Sequence, residues 1–489
     1  MNRRTFYFLL IMEIGAILRV FWLGSTPFWY DEAFSYLVAR LPFTRMIEAT
    51  IYDVHPPMYY ILAKPFASIP WQPGGLRLIS VLCSLGSIWL IWLISGRMSM
   101  TNNARLIATA LMAVWPSQLY YAQEGRMYAM LQLLVLGAWL AILERRWVVS
   151  AVLAALAMYT HNYGVIYAAL IGAIGVMHEA MRPRTWYAGH YRKPETHEAQ
   201  AEYVVIAFAA ALIAWLPWGW VIINQIAGAR AGGGYWLNFL TLGSLLRQTA
   251  NILITPQSSG ITDPPSVILM AAGIPVLLWF AMHKRMYALL TLGIAPMIIM
   301  AVISILWSPV YLHRGFLPSV PFILLLLSCF LEELTTIRKA FALGLLIPAM
   351  AGAFIVWLSS NAYGVRTMSV NYASGVNINY DATIIHTDTS SWIVWMAALP
   401  DVPQRVLVNH ECDHDPGALT DGTLHALFVQ FIDPSDLPDR YYLVVVNNTF
   451  TSQCNFIRSQ RFSAGLENLM ASDIYFGSIG VYRYGYRSQ

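Results

Sequence analysis

MNRRTFYFLLIMEIGAILRVFWLGSTPFWYDEAF (residues 1–34) opens with a basic flank, runs through an apolar segment from Thr5 to Gly24, and ends in bulky aromatics and two acids. A basic flank before an apolar stretch also fits a secretory signal. The run is nevertheless as long as the ~20 residues a bilayer helix needs, and no small-x-small cleavage site follows it. The segment is expected to be an uncleaved first membrane span, with Asp31 and Glu32 emerging beyond it.

The composition extends this reading to most of the chain. Of 489 residues, 57% are hydrophobic and 11% are charged, whereas soluble domains carry about 25% charged residues. The net charge of +4 is small and argues against nucleic acid, leaving membrane lipids as the partner of the basic residues. Further apolar runs predict spans near Leu76–Gly96, Leu106–Ala122, Met127–Leu143, Trp147–Thr160, Tyr163–His178, Tyr203–Ile223, Ser266–Met282, Tyr287–Leu306, Phe316–Leu331 and Ala340–Leu358. With the first, that makes an α-helical polytopic membrane protein of about eleven transmembrane helices. Met58–Ile69 is too short to span and reads as interfacial or re-entrant.

The basic residues orient the bundle. With the N-terminus inside, the inner loops hold Arg3/Arg4, Arg97/Arg105, Arg145/Arg146, Arg182/Arg184/Arg192/Lys193, Lys284/Arg285 and Arg338/Lys339, as the positive-inside rule requires. The expected location is the cell (inner) membrane, with a cytoplasmic N-terminus. Residues 1–358 form the membrane domain, with an outer juxtamembrane loop at 25–75. Residues 359–489, where long apolar runs stop and acids recur, predict a soluble extracytoplasmic α/β domain. Its β-like runs are Ala382–Ile385, Arg405–Val408 and Tyr441–Val446, while Gly465–Met470 has helical composition. Cys83 and Cys329 read as inert core residues. Cys412 and Cys454 stand in the outer domain, where a disulfide is permitted. The segment 409–415 (NHECDHD) is dense in metal ligands, but its spacing suits no standard zinc motif; a solvated acidic loop is the plainer reading.

On this topology the unusual polar residues all fall at outer helix ends: Asp31-Glu32, Asp53 with His55-Pro56-Pro57, Gln123-Glu124-Gly125-Arg126, His161-Asn162 and His313-Arg314. Each has a plain structural reading, as a solvated helix end, an exposed ion pair, a turn or an interface anchor. Their coincidence at one membrane face has a functional one, since charges near a bilayer are expensive and mark sites. Carboxylates beside Arg and His suit group transfer from a lipid-linked donor: Asp as general base, Arg and His on the leaving phosphate. Aromatics such as Tyr60 and Tyr128 crowd the same motifs and suit sugar stacking.

Four of these motifs, W-Y-D-E-A-F (29–34), V-H-P-P-M-Y-Y-I-L (54–62), Y-Y-A-Q-E-G-R-M-Y-A-M-L (120–131) and Y-T-H-N-Y-G (159–164), resemble bacterial and archaeal members of glycosyltransferase family 39. These belong to the GT-C superfamily, with protein O-mannosyltransferases and lipid A aminoarabinose transferases as relatives. The resemblance covers roughly residues 1–340. It implies an inverting transferase that moves a sugar from a polyprenyl phosphate to an acceptor hydroxyl on a lipid, glycan or protein, without nucleotide, cofactor or catalytic metal. By position it makes Asp31 the base with Glu32 beside it, Glu124 an acidic orienter, and Arg126, His55 and Arg314 phosphate ligands. Tyr60, Tyr128 and His161 would line the substrate, and Ala33–Ile51 would be a juxtamembrane helix. His55 stands where aminoarabinose transferases have Lys before Pro. A transporter or flippase for a lipid-linked sugar is the alternative, although that class gathers its charges near the bilayer midplane. A binding protein working through the outer domain is another.

Overall fold

The computed structural model describes residues 2–181, 200–231, 240–253, 273–307, 309–363, 383–386, 389–407, 421–432, 441–446, 466–474 and 477–484. Cys412, Cys454, the 409–415 segment and the basic residues of 182–193 lie outside them.

The first half of the chain is helical: α1 Arg3–Val20, α2 Tyr30–Arg40, α3 Phe43–Tyr52, α4 Met58–Ala67, α5 Gly74–Arg97, α6 Asn102–Val114, α7 Pro116–Ala122, α8 Tyr128–Leu143, α9 Trp147–Thr160 and α10 Gly164–Met181. There follow α11 Ala201–Ala231, α12 Leu242–Leu253, α13 Ile274–His283, α14 Tyr287–Leu306, a 3₁₀ turn His313–Phe316, α15 Ser319–Glu333 and α16 Thr336–Tyr363. Two expected elements are divided, each at a proline. The juxtamembrane run 33–51 breaks at Leu41-Pro42 into α2 and α3, and the run 106–122 breaks at Trp115-Pro116 into α6 and α7. Proline lacks the N–H and forces its predecessor out of the helical region; Trp115 is extended, with ψ 131°.

Helices α5, α11 and α14 are long and apolar enough to cross a membrane on their own, while α8, α9, α10 and α13 are shorter apolar helices. Large side chains such as Ile213, Trp220, Leu306 and Ile337 are more than half exposed. A water-soluble protein rarely shows so much apolar surface, but a lipid-facing one does. Close helix contacts use small residues: a Cβ on Gly15 of α1 would stand 3.0 Å from Ile88 of α5. Two sets of polar residues inside the bundle are paired across helices. Gln118 and Gln132 exchange two amide hydrogen bonds at 2.9 and 2.8 Å. Arg19 donates to Ser84 Oγ at 2.8 Å and to the carbonyls of Gly15, Ala113 and Met112.

The two ends of the bundle differ. At one, Arg97 pairs with Glu144 at 2.6 Å, Arg145 with Glu179 at 2.7 Å, and Lys284 with Glu333 at 2.6 Å. At the other lie α2–α4, the α7–α8 and α9–α10 junctions and the 3₁₀ turn.

Beyond α16 the described elements are β1 Thr383–His386, α17 Thr389–Ala398, β2 Gln404–Leu407, α18 Asp421–Ala426, β3 Phe431–Ile432, β4 Tyr441–Val446, β5 Leu466–Ile474 and β6 Gly477–Tyr484. They make a six-stranded sheet in the order β3-β2-β1-β4-β6-β5, parallel from β3 to β4 and antiparallel between β4, β6 and β5. The helix expected over Gly465–Met470 is instead strand β5. Its Leu, Glu and Met favour helix, but such propensities are weak against tertiary pairing, and β6 supplies an aromatic and β-branched partner strand. Helix α17 packs on α2 and α18 on α3. His425 of α18 lies 3.3 Å from Arg45 and 3.4 Å from Glu48.

Candidate active site

Asp31 and Glu32, adjacent in the first turn of α2, face opposite ways. Glu32 is fully buried. Arg77 binds it through Nε–Oε1 at 2.8 Å and Nη2–Oε2 at 2.6 Å, and the Gly125 amide donates to Oε1 at 2.7 Å. The same guanidinium donates to the carbonyls of Leu23, Thr26 and Pro27. One buried ion pair thus ties the α1–α2 connection, α2, α5 and the 124–126 loop together. Arg77 was not among the residues expected at the site. Its signal was an arginine one residue inside an apolar run, a placement that requires a partner.

Asp31 faces both expected cations. Arg314 Nη1 donates to Oδ2 at 2.6 Å. Arg126 Nη2 stands 4.0 Å from the same oxygen, and its Nη1 donates to the Asp31 carbonyl at 3.1 Å and to Ser35 Oγ at 2.8 Å. Burial would raise the Asp31 pKa, but the charges of Arg314 and Arg126, joined by His55 at the acid pH where that ring protonates, more than offset it and hold the carboxyl below its usual value. Burial likewise works against charge on Arg314, which Tyr128, Asp31 and Glu124 overcome, so that it is held firmly protonated. Its guanidinium lies over Trp29 at 5.4 Å and Tyr128 at 5.8 Å, in the range of cation–π attraction.

His55 touches Arg126 from the other side. Arg126 Nη2 donates to His55 Nε2 at 3.4 Å, so the ring proton sits on Nδ1, 3.2 Å from Asp53 Oδ2. Burial pushes the His55 pKa down despite the Asp53 hydrogen bond, so the ring is neutral near pH 7. The His161 ring lies 5.6 Å from that of His55 and 5.7 Å from that of Tyr128, tilted to both. Its Nδ1 accepts from the Tyr163 amide at 3.1 Å, which leaves the proton on Nε2. Burial, then His55 and the two arginines, push its pKa well below the ordinary value.

Glu124 is buried, and its carbonyl accepts from Ser80 Oγ and the Arg126 amide. Tyr60 is buried against Tyr59 and Phe34. The Tyr128 hydroxyl and Arg126 Nε are buried with no hydrogen-bond partner among the described residues, polar atoms that a polar ligand would satisfy. Among the described residues no three His, Cys, Asp or Glu side chains converge as a metal ion would require. Of the expected residues, Asp31, Arg126, Arg314, His55, His161 and Tyr128 form one connected cluster, Glu124 and Tyr60 border it, and Glu32 lies behind it.

No protein-family model matches this sequence, and no curated protein matches it. Among solved structures, ArnT from Cupriavidus metallidurans in the apo state is similar over 99% of this chain and 98% of that one, with TM-score 0.64 at 13% identity. ArnT bound to undecaprenyl phosphate gives TM-score 0.61 at 13% identity over 97% of each chain. The Archaeoglobus fulgidus oligosaccharyltransferase in the apo form gives 0.51 at 14% identity over 91% of this chain and 69% of that one. The chain shares the fold of these proteins.

Proposed function

We propose that this chain is an inverting glycosyltransferase that moves a sugar from a polyprenyl phosphate to an acceptor hydroxyl at the outer face of the cell membrane. The observation that carries this is the Asp31 carboxylate set between Arg314 and Arg126 at the head of α2. In this reading the chain spans the membrane about eleven times. The end bearing α2–α4 is outside, and residues 359–489 form an extracytoplasmic α/β domain resting on α2 and α3. The fold shared with ArnT, solved with undecaprenyl phosphate bound, supports a lipid-phosphate donor.

The chemistry follows from competition for the two guanidiniums. A phosphodiester offers Arg126 and Arg314 better acceptor geometry than one carboxylate oxygen. Donor binding therefore draws both cations from Asp31 and restores basicity to its Oδ2. Asp31 takes the proton of the acceptor hydroxyl as the new bond forms at the anomeric carbon. The bond to the phosphate oxygen breaks in line, and its electron pair is stabilised by the arginines. His55, neutral in this arrangement, orients Arg126, while Tyr60, Tyr128 and His161 border the sugar. Glu32 holds the first turn of α2 through Arg77.

The test is single-turnover transfer with a panel of radiolabelled undecaprenyl phosphosugars, comparing wild type with Asp31→Asn. Consumption of no donor in the panel, with vesicle translocation of one of them, would replace the transferase by the flippase.

A further inference from the structure

The turn between α9 and α10 sends one side chain to the segment that carries His55 and another to the segment that carries Arg314. Asn162 Nδ2 donates to the carbonyl of Val54 at 2.9 Å, the residue before His55. The Tyr163 hydroxyl donates to the carbonyl of Val310 and accepts from the amide of Leu312 at 2.8 Å, two residues before Arg314. The Tyr163 ring stands 5.1 Å from Phe316, and a Cβ on Gly315 would overlap it. Residues 309–312 have no helix or strand to satisfy their backbone, a costly state near lipid. Side chains do that work: besides Tyr163, Ser304 Oγ accepts from the Val310 amide at 3.0 Å and Gln248 from the His313 amide at 3.1 Å.

We propose that Asn162 and Tyr163 are positioning residues for transfer, a staple that sets the separation between the His55–Arg126 wall and the Arg314 wall so that both guanidiniums meet one phosphate. This rests on the phosphate-binding reading of those arginines. Neither residue touches the reacting atoms; each acts through the wall to which it is bonded.

Tyr163→Phe keeps the ring against Phe316 and Gly315 but removes both hydroxyl bonds. The expected result is a fall of about tenfold in affinity for undecaprenyl phosphate, the worth of one charge-assisted hydrogen bond. Transfer of the phosphosugar that wild type consumes should fall about 10- to 100-fold, as for a ~1 Å misplacement. The acid limb of transfer at limiting donor, which reports the free enzyme, should move to higher pH. Among the described residues the charged and titratable groups facing Asp31 are Arg314, Arg126, His55, Tyr128 and Tyr60, and a displaced Arg314 no longer holds the carboxyl down as strongly. Asn162→Ala should lower donor affinity from the opposite wall. In an Arg314→Gln background, Tyr163→Phe should have no further effect, because the two act as one unit.

Wild-type donor affinity and transfer in Arg314→Gln would sink the phosphate reading itself. Loss in Arg314→Gln with an unmoved acid limb in Tyr163→Phe, or with losses that add in the double variant, would overturn the staple alone. Should Tyr163→Phe not fold, Asn162→Ala decides: reduced affinity at a wild-type melting temperature supports the staple, and wild-type affinity overturns it.

Discussion

Arg77 of α5 grips Glu32 of α2 side-on, Nε to Oε1 at 2.8 Å and Nη2 to Oε2 at 2.6 Å, with the two side chains 1% and 0% exposed. Breaking a buried pair by removing one partner costs about 3–5 kcal/mol. Arg77→Ala should therefore lower stability by about that much in a detergent melt, because it also strands the carbonyls of Leu23, Thr26 and Pro27. Glu32→Gln keeps an acceptor for the Gly125 amide and should cost less. If Arg77→Ala melts like wild type, this pair does not hold the head of α2.

Topology follows from the two unlike ends of the bundle. Asn102 begins α6, between Arg97 and Arg105, and the Arg97–Glu144 pair lies at that end. Tyr52 ends α3 and is 50% exposed. In intact cells, a membrane-impermeant thiol reagent should label Tyr52→Cys and spare Asn102→Cys. The reverse pattern would invert the whole arrangement.

Much of this site was legible because charge near a membrane is expensive. Asp31, Arg126 and Arg314 stood out as ions flanked by apolar runs, and the fold draws them together from three separate connections. Only the family resemblance separated Asp31 from its neighbour Glu32, since the direction each faces depends on Arg77, 45 residues away. Tyr163 lies within the Y-T-H-N-Y-G motif, but its hydroxyl partners are backbone groups, which no residue type announces. In the C-terminal part, β4 could be read from its own β-rich run, whereas β5 is a strand through its pairing with β6.

Acid should weaken the fold through histidines held neutral. His161 is pushed well down, and His313 to about 3, chiefly by burial. In the unfolded chain both regain a pKa near 6.5. As pH falls below about 6.5 the unfolded state takes up protons first, so stability drops, and it continues to drop until the folded values are reached. The Asp31 contribution runs the same way at lower pH: its folded value is depressed, so its stabilisation is present above about 4 and is lost as pH falls through the folded value. A series of melts from pH 7 to pH 4 should slope downward, and His161→Gln should flatten it. A slope unchanged by His161→Gln would remove that residue from the account.

Arg126 should matter for the donor more than for the fold. It is buried and bonded to Ser35, the Asp31 carbonyl and His55. Arg126→Ala should abolish measurable undecaprenyl phosphate binding. Arg126→Lys should weaken it by about tenfold or more, because an ammonium cannot present a two-pronged donor. Arg40→Ala, at the far end of the helix that carries Asp31 and bonded to the Tyr36 hydroxyl, serves as the control and should bind normally. Equal donor affinity in Arg126→Ala and wild type would make Arg126 a structural residue.

Asp31→Asn carries the mechanism. The amide keeps the size of the carboxyl and an oxygen that can accept from Arg314, but it lacks the basic oxygen. If Asp31 is the general base, the variant should insert and fold and should bind undecaprenyl phosphate at least as well as wild type. The gain is expected because Arg314 and Arg126 no longer face a competing anion. Transfer should nevertheless fall on the order of 10²–10⁴-fold, the usual worth of a positioned base. A carboxylate that merely caps the first turn of α2 predicts the opposite pair of results, a modest loss of stability with nearly intact turnover. Donor affinity and single-turnover rate, measured on one preparation, separate the two. Tighter lipid binding with collapsed transfer fits only the base; near-normal transfer ends the assignment and makes Glu32 or Glu124 the next residue to change.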